Sequence, residues 1–149
     1  MSVEQIHRKP RILVAPLDWG LGHATRCIPV IKELIANNAE VIIAAEGPHK
    51  LLLSGEFPEA VFIQLDGYRV NYAKTKAGLL RKIFFQIPKI LKAIRSENEW
   101  LQKIVQDQQI DAVISDNRFG LYHSKIPCIF ITHQLLIKSP FGAGSEKIL

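Results

Sequence analysis

Short hydrophobic runs alternate along the chain with stretches in which apolar residues recur every three or four positions. The runs predict five strands: Arg11–Pro16, Val41–Ala45, Ala60–Leu65, Asp111–Ser115 and Cys128–Thr132. Strands that are rich in Val and Ile and separated by helices are typical of a parallel sheet covered on both faces. We therefore expect an α/β fold in which helices flank a parallel sheet.

The first helix is predicted to start at about Thr25, because the ring of Pro29 would clash with the Thr25 carbonyl inside a helix. Thr25 is also a favourable N-cap residue. The other helices are predicted over Gly47–Leu53 and about Ala77–Gln108, the second one bent or broken at Pro88. A short turn or helix is expected over residues 117–124.

Composition narrows the class of protein. The length of 149 residues suits one domain, and the 48% hydrophobic content excludes a disordered chain. Two cysteines, Cys27 and Cys128, are too few for a disulfide scaffold. No apolar run approaches the roughly 18 residues needed to cross a bilayer, and the N-terminus lacks the apolar stretch of a secretory signal. We therefore expect a soluble cytoplasmic domain.

The positive charge is concentrated in one segment. The chain carries a net charge of +5, and residues 74–95 contain seven basic side chains and no acid. These are Lys74, Lys76, Arg81, Lys82, Lys89, Lys92 and Arg95. Because the rest of the chain is then slightly acidic, we expect no nucleic-acid partner, which would require cations spread over several elements.

The same segment has two interpretations. At 100° per residue, its apolar side chains share one arc and its basic side chains the other. The apolar arc contains Ile83, Phe84, Ile87, Ile90, Leu91 and Ile94. The helix is either a surface helix with solvated lysines or a membrane-surface helix whose Lys82, Phe85, Lys89 and Lys92 face anionic lipid. Phe85 lies alone among the basic residues, and an aromatic side chain in that place favours the membrane-surface interpretation.

A glycine-containing loop follows the first strand, at the edge where open α/β sheets bind ligands. Gly20 and Gly22 allow a tight turn and close approach of a ligand. We expect His23 to lie in this loop as a functional residue, although a lone histidine is often structural. Arg26 is expected in the first helical turn, where the dipole disfavours a cation. Asp18 or a ligand phosphate would relieve that.

An acid at the end of the fourth strand could serve His23. Asp116 is expected at the same sheet edge, where its carboxylate would fix the tautomer of the imidazole and raise its basicity. Alternatively, Asp116 only caps a following helix. His133 and Gln134, after the fifth strand, could line an acceptor pocket, and His133 could equally be a hydrogen-bonded wall residue without a functional role.

A dinucleotide site is the competing hypothesis for the loop. Gly20 and Gly22 match two glycines of the G-x-G-x-x-G fingerprint, but Thr25 replaces the third. Glu46 ends the second strand, where the ribose-binding acid belongs. An NAD-dependent oxidoreductase is therefore the second-ranked interpretation.

The pattern Gly20-Leu21-Gly22-His23-x-Thr25-Arg26-x-x-Pro29, together with SDNRFG and ITHQ, resembles the N-terminal half of GT-B glycosyltransferases. The nearest likeness is to the nucleotide-sugar enzymes of the MurG type. The resemblance implies a single Rossmann-like acceptor-binding domain over residues 1–149, with His23 as general base and Asp116 assisting it. It implies substrate contacts at Gly20, Gly22, Thr25, Arg26, Asn117, His133 and Gln134.

The resemblance also sets the expected partners. A sugar would pass from a nucleotide-sugar donor to a hydroxyl acceptor, which could be lipid-linked at the inner membrane surface. The MurG glycine run GGTGGH is longer than DWGLGH, so its own acceptor is not implied. The donor would bind mainly to a C-terminal domain beyond this chain, leaving the present piece inactive alone. No cofactor or metal is expected. A non-catalytic acceptor-binding or membrane-recruiting subunit is a further alternative.

Overall fold

The computed structural model describes residues 8–68 and 76–132, and over 76–87 it describes the backbone only. Its elements are β1 Arg11–Pro16, α1 Leu21–Ala36, β2 Glu40–Ala44, α2 Gly47–Glu56, β3 Val61–Ile63, α3 Lys76–Asp107, β4 Ala112–Asp116 and β5 Cys128–Ile131. The strands form one parallel sheet in the order β3-β2-β1-β4-β5. The α/β fold predicted from the hydrophobic pattern is confirmed.

The direction of the strand order reverses at β1. From β1 the chain moves outward to β2 and β3, and α3 then returns it to β4 on the other side of β1. Pro16 and Asp116, the last residues of β1 and β4, are register partners, and the Leu17 amide donates to the Asp116 carbonyl over 3.0 Å. The loops after these two strands thus meet at a topological switch point, where ligands of such sheets bind.

The sheet buries a core on each face, because successive side chains of a strand point to opposite sides. Leu13 of β1 packs in the core that includes Leu101 and Val105 of α3. Val14 belongs to the opposite core, with Ile31 of α1 and Leu53 of α2. These four elements hold the carboxyl edge of the central strands in place.

Helix α1 begins at Leu21 and not at Thr25, and Pro29 lies inside it. A proline in a helix interior costs about 3 kcal/mol, since it lacks an N–H for the carbonyl four residues earlier. Burial of Ala24 and Cys27 against the sheet favours the early turns despite that cost. Thr25 is therefore not the N-cap; its hydroxyl donates to the Gly22 carbonyl over 3.1 Å.

Helix α3 continues through Pro88 without a break, and residues 117–124 form turns rather than a helix. Leu91 is 52% exposed, so the predicted apolar arc is not wholly buried. Helix length gives the reason. Thirty-two residues at 1.5 Å each make roughly 48 Å, whereas a five-residue strand spans only about 17 Å. The sheet therefore covers only part of α3, around Leu101 and Val105.

Candidate active site

A histidine and an aspartate meet at the switch point. The Nδ1 atom of His23 lies 2.9 Å from Oδ2 of Asp116, although 93 positions separate the two residues. Both side chains are buried, Asp116 almost completely. Because a carboxylate can only accept, Nδ1 carries the proton of this bond and Nε2 becomes the proton-accepting nitrogen of the ring. The predicted pairing of His23 with Asp116 is present in the fold.

His23 is the third residue of α1, and not a loop residue as expected. The prediction was wrong because it excluded the turns before Pro29 from the helix. Asp116 ends β4, and the next residue, Asn117, adopts a left-handed conformation with φ of 57°. That conformation turns the chain sharply away from the strand, so Asp116 is the last strand residue beside α1. Asp116 therefore pairs with His23 rather than capping a helix.

Arg26 supplies a positive charge to the same carboxylate. Its Nε atom lies 3.5 Å from Asp116 Oδ2, while Nη2 is 3.0 Å from His23 Nδ1. Since Nδ1 already carries a proton for Asp116, we interpret the Nη2 contact as proximity between two donors. Arg26 lies in the second turn of α1 and not in the first, and its anionic neighbour is Asp116, whereas Asp18 or a ligand phosphate was expected.

The second carboxylate oxygen of Asp116 is buried and has no hydrogen-bond partner among residues 8–68 and 76–132. The thiol of Cys27 lies in the same surroundings: burial, followed by the charge of Asp116, raises its pKa to about 12. This thiol therefore stays protonated near neutral pH and is not a nucleophile.

The two glycines of the first loop differ in their backbone requirements. Gly20 is the N-cap of α1 with φ of 102° and ψ of 148°, a conformation that essentially only glycine adopts. Gly22 has no such φ, and a Cβ added there would meet nothing within 4 Å. The backbone conformation thus requires glycine at position 20. It does not require glycine at position 22, where the absence of a side chain leaves the surface beside His23 open.

Two carboxylates, those of Asp18 and Glu46, hold the loop after β3 through its backbone amides. Asp18 Oδ1 accepts from the Tyr68 amide over 3.3 Å, and Glu46 Oε1 accepts from the Gly67 amide over 2.7 Å. Glu46 was the expected ribose-binding acid of the dinucleotide hypothesis. Its carboxylate instead anchors a loop of the protein itself.

A buried polar network lies beneath the site, and sequence reasoning missed it. Arg118 Nε donates to Glu97 Oε1 over 2.5 Å, and Nη2 donates to the Asp66 carbonyl over 2.6 Å. The Tyr68 hydroxyl donates to Glu97 Oε2 and accepts from the Phe119 amide. Burial and the neighbouring Glu97 carboxylate raise the pKa of Tyr68, which keeps this phenol a donor. The network joins α3 to the loops after β3 and β4.

A sequence signal for this network did exist. Glu97, Leu101 and Val105 are four residues apart, so they share one face of α3, and the latter two are core residues. A carboxylate on a core-facing stripe requires a buried partner. Arg118, in the SDNRFG segment, is that partner.

The remaining predicted residues include four whose side chains the structure does not describe. His133 and Gln134 lie outside the described residues, as do the side chains of Lys82 and Phe85. Lys89 and Lys92 are exposed on α3, and Asn117 is buried beside Asp116. Within the described residues, no group of three His, Cys, Asp or Glu side chains could hold a metal ion. No helix in that part of the chain is long and apolar enough to span a bilayer.

Comparison with known proteins gives matches in structure only. No protein-family model and no curated protein sequence matches the chain. One similar solved structure is LpCGTa in complex with UDP, with a TM-score of 0.57 and 14% identity over 84% of this chain. Another is UGT2 of Phytolacca americana, complexed with UDP-2fluoro-glucose and pterostilbene, with a TM-score of 0.58, 18% identity and 84% coverage.

MurG of Acinetobacter baumannii also matches, with a TM-score of 0.49 and 20% identity over 84% of this chain and 35% of that chain, and a MurG-like branch is not confirmed. The chain spans about 30% of the length of each of the two preceding structures. At these identities the likeness concerns the fold alone. The described residues thus form a parallel α/β sheet domain similar to part of GT-B glycosyltransferases.

Proposed function

We propose that the protein to which this chain belongs transfers a sugar from a nucleotide-sugar donor to an acceptor hydroxyl, and that this chain binds the acceptor. The observation that carries the proposal is the 2.9 Å contact between His23 Nδ1 and Asp116 Oδ2 at the switch point of the sheet. The fold shared with glycosyltransferases supports the same reaction class.

In the proposed reaction, His23 Nε2 takes the proton of the acceptor hydroxyl as its oxygen attacks the anomeric carbon of the donor sugar. A new carbon–oxygen bond forms, and the bond to the nucleoside diphosphate breaks, with its electron pair leaving on the phosphate oxygen. Asp116 holds the ring in the required tautomer and stabilises the imidazolium that results. Arg26 limits the net negative charge around Asp116.

The donor would bind mainly to a further domain of the whole protein. The two structural neighbours are complexed with UDP and with a UDP-sugar analogue, which makes UDP-hexoses and UDP-N-acetylhexosamines the donors to test first. Gly22, Thr25, Arg26 and Asn117 are the proposed acceptor-side contacts, and His133 and Gln134 complete that set. Arg26 contacts the His23 ring, and Gly22 and Thr25 lie within two positions of His23 on α1. Asn117 follows Asp116 in sequence, and His133 and Gln134 follow the fifth strand.

The test uses the whole encoded protein. UDP release from UDP-glucose and UDP-N-acetylglucosamine is measured with a panel of hydroxyl acceptors. His23→Ala should lower turnover by about 10²- to 10⁴-fold. Wild-type turnover in His23→Ala would sink the proposal. Acceptor binding without turnover in the wild type would favour a non-catalytic subunit instead.

We further propose that the acceptor is lipid-linked and that the protein meets it at a membrane surface. Lys89, Lys92 and Arg95 are exposed along α3, with Leu91 half-exposed among them. Cations beside an apolar side chain suit the surface of an anionic membrane, which would make the protein peripheral on the inner face of the cytoplasmic membrane.

Sedimentation with vesicles tests this placement. The wild type should bind vesicles containing phosphatidylglycerol and not pure phosphatidylcholine, and Lys89→Glu/Lys92→Glu should abolish that binding. Lys50→Glu/Lys125→Glu, an equal double charge reversal at exposed sites outside α3, is the matched control. Equal loss of binding in both variants, or none in either, would contradict a specific basic face.

A further inference from the structure

The Gly20 carbonyl receives two hydrogen bonds from different elements. The His23 amide donates to it over 3.2 Å, and His49 Nε2 lies 3.0 Å from the same oxygen. Because a carbonyl can only accept, the proton of this second bond is on His49 Nε2. His49 is therefore linked to His23 through a single oxygen atom.

His49 is placed for this contact by α2. It is the third residue of that helix and is buried at 6% exposure, where α2 packs against α1. Its partner, Gly20, has no Cβ, so its backbone is sterically less restricted than that of any other residue. The orientation of the Gly20–Leu21 peptide therefore depends on the groups that bind its oxygen.

We propose that His49 is a positioning residue for His23, a role that rests on the proposed glycosyl transfer. By donating from Nε2 to the Gly20 carbonyl, His49 fixes the peptide that starts α1 and so the first turn that carries His23. Loss of the donor lets this peptide rotate. The rotation weakens the hydrogen bond that the His23 amide donates to the Gly20 carbonyl, and it displaces the His23 ring from Asp116. A displacement of about 1 Å at a reacting group can cost about 100-fold in rate.

Three substitutions of His49 distinguish the effect of losing the hydrogen-bond donor from the effect of losing the volume of the ring. In His49→Gln the side-chain amide nitrogen can occupy the place of Nε2 and donate to the same carbonyl. In His49→Asn the side chain is shorter, so its amide nitrogen lies at the position of Nδ1 and cannot reach the Gly20 carbonyl. In His49→Leu no donor remains. Val105→Ala, a buried site of α3 in the core on the opposite face of the sheet from α1, is the destabilising control.

The measurements use the whole encoded protein. Hydrogen–deuterium exchange is followed in the peptide covering Gly20–Arg26, and kcat and KM are followed with the donor that supports turnover. His49→Leu and His49→Asn should speed exchange in that peptide by about tenfold and lower kcat by about 10- to 100-fold. KM should change little. His49→Gln should restore both readouts to within about threefold of the wild type.

Wild-type exchange in His49→Asn would overturn the proposal, as would equal local exchange in Val105→Ala. If His49→Leu does not fold, the contrast between the Gln and Asn variants decides alone. Failure of the proposed glycosyl transfer would appear separately, as unchanged turnover in His23→Ala. The exchange result would still decide whether His49 holds the first turn of α1.

Discussion

Arg118 and Glu97 form an ion pair inside the protein, with 2.5 Å between Nε and Oε1 and side-chain exposures of only 1% and 3%. Arg118 follows Asp116 by two positions, and its guanidinium also donates to the carbonyls of Pro16 and Asp66. The pair therefore ties the ends of β1 and β4 and the loop after β3 to α3. It supports the backbone from which Asp116 reaches His23.

Removing one partner of this pair should be costly. Arg118→Met is expected to lower the free energy of unfolding by about 3–5 kcal/mol, because it leaves the Glu97 carboxylate buried without its cation. The double variant Arg118→Met/Glu97→Gln should lose less than the sum of the two single losses. Urea denaturation measures all three. Lys32→Met/Glu56→Gln, an exposed pair at 3.3 Å, is the control, with an expected coupling below about 1 kcal/mol.

Asp116→Asn should impair catalysis more than stability. An amide nitrogen facing His23 Nδ1 would favour the opposite tautomer, so turnover should fall by about 10²- to 10⁴-fold. Steady-state rates and urea denaturation of the whole protein give the two readouts. Asp111→Asn, at the opposite end of β4, should keep the wild-type rate. A wild-type rate in Asp116→Asn would exclude an orienting role for this carboxylate.

The left-handed turn at Asn117 predicts an order of stability. With φ of 57°, alanine should be less stable than glycine at this position by about 1 kcal/mol, because its Cβ is strained there. Thermal or urea unfolding of Asn117→Ala and Asn117→Gly checks it. Asn38, exposed at φ of 63°, should give the same order without any effect on turnover. Equal stabilities of the two Asn117 variants would contradict a strained turn.

The two cysteines should differ in reactivity. Cys128 is exposed, although partial burial raises the pKa of its thiol, and it should react slowly with iodoacetamide at pH 8. Cys27, with a pKa of about 12 and almost no exposure, should react only after unfolding. Mass spectrometry of digested protein counts the adducts. Native labelling of Cys27 ahead of Cys128 would contradict the packing of α1 on the sheet.

The contacts of the Asp111 carboxylate predict a small loss of stability at acid pH. The Arg11 amide, helped by the Arg8 guanidinium, holds the pKa of this carboxyl below its ordinary value. Its stabilisation is therefore present above the ordinary value near 3.9 and lost as pH falls through the lower folded value. Since the side chain is 39% exposed, the contribution should stay below about 1 kcal/mol.

Urea denaturation of the wild type and Asp111→Asn at pH 5 and below pH 3 measures this contribution. The difference in unfolding free energy should shrink at the lower pH. Glu59→Gln, at an exposed acid, should show no comparable change. A difference in unfolding free energy that grew toward acid pH would contradict a lowered pKa of Asp111 in the folded protein.

The sequence by itself determined the α/β class, the five strands and the edge at which Asp116 lies. Apolar runs and their spacing are local properties, and parallel strands place their carboxyl ends together. Helix boundaries were less predictable. Pro29 locally disfavours a helix over Leu21–Ala24, and only burial against the sheet decides otherwise.

The tertiary structure alone decided which polar groups meet. His23 and Asp116 were predicted to share an edge, but the 2.9 Å contact depends on the start of α1 and on the turn at Asn117. The Arg118–Glu97 pair and the bond from His49 to Gly20 join elements that the sequence keeps far apart. A hydrogen bond requires donor and acceptor within about 3 Å, and only the packed backbone fixes distances that short.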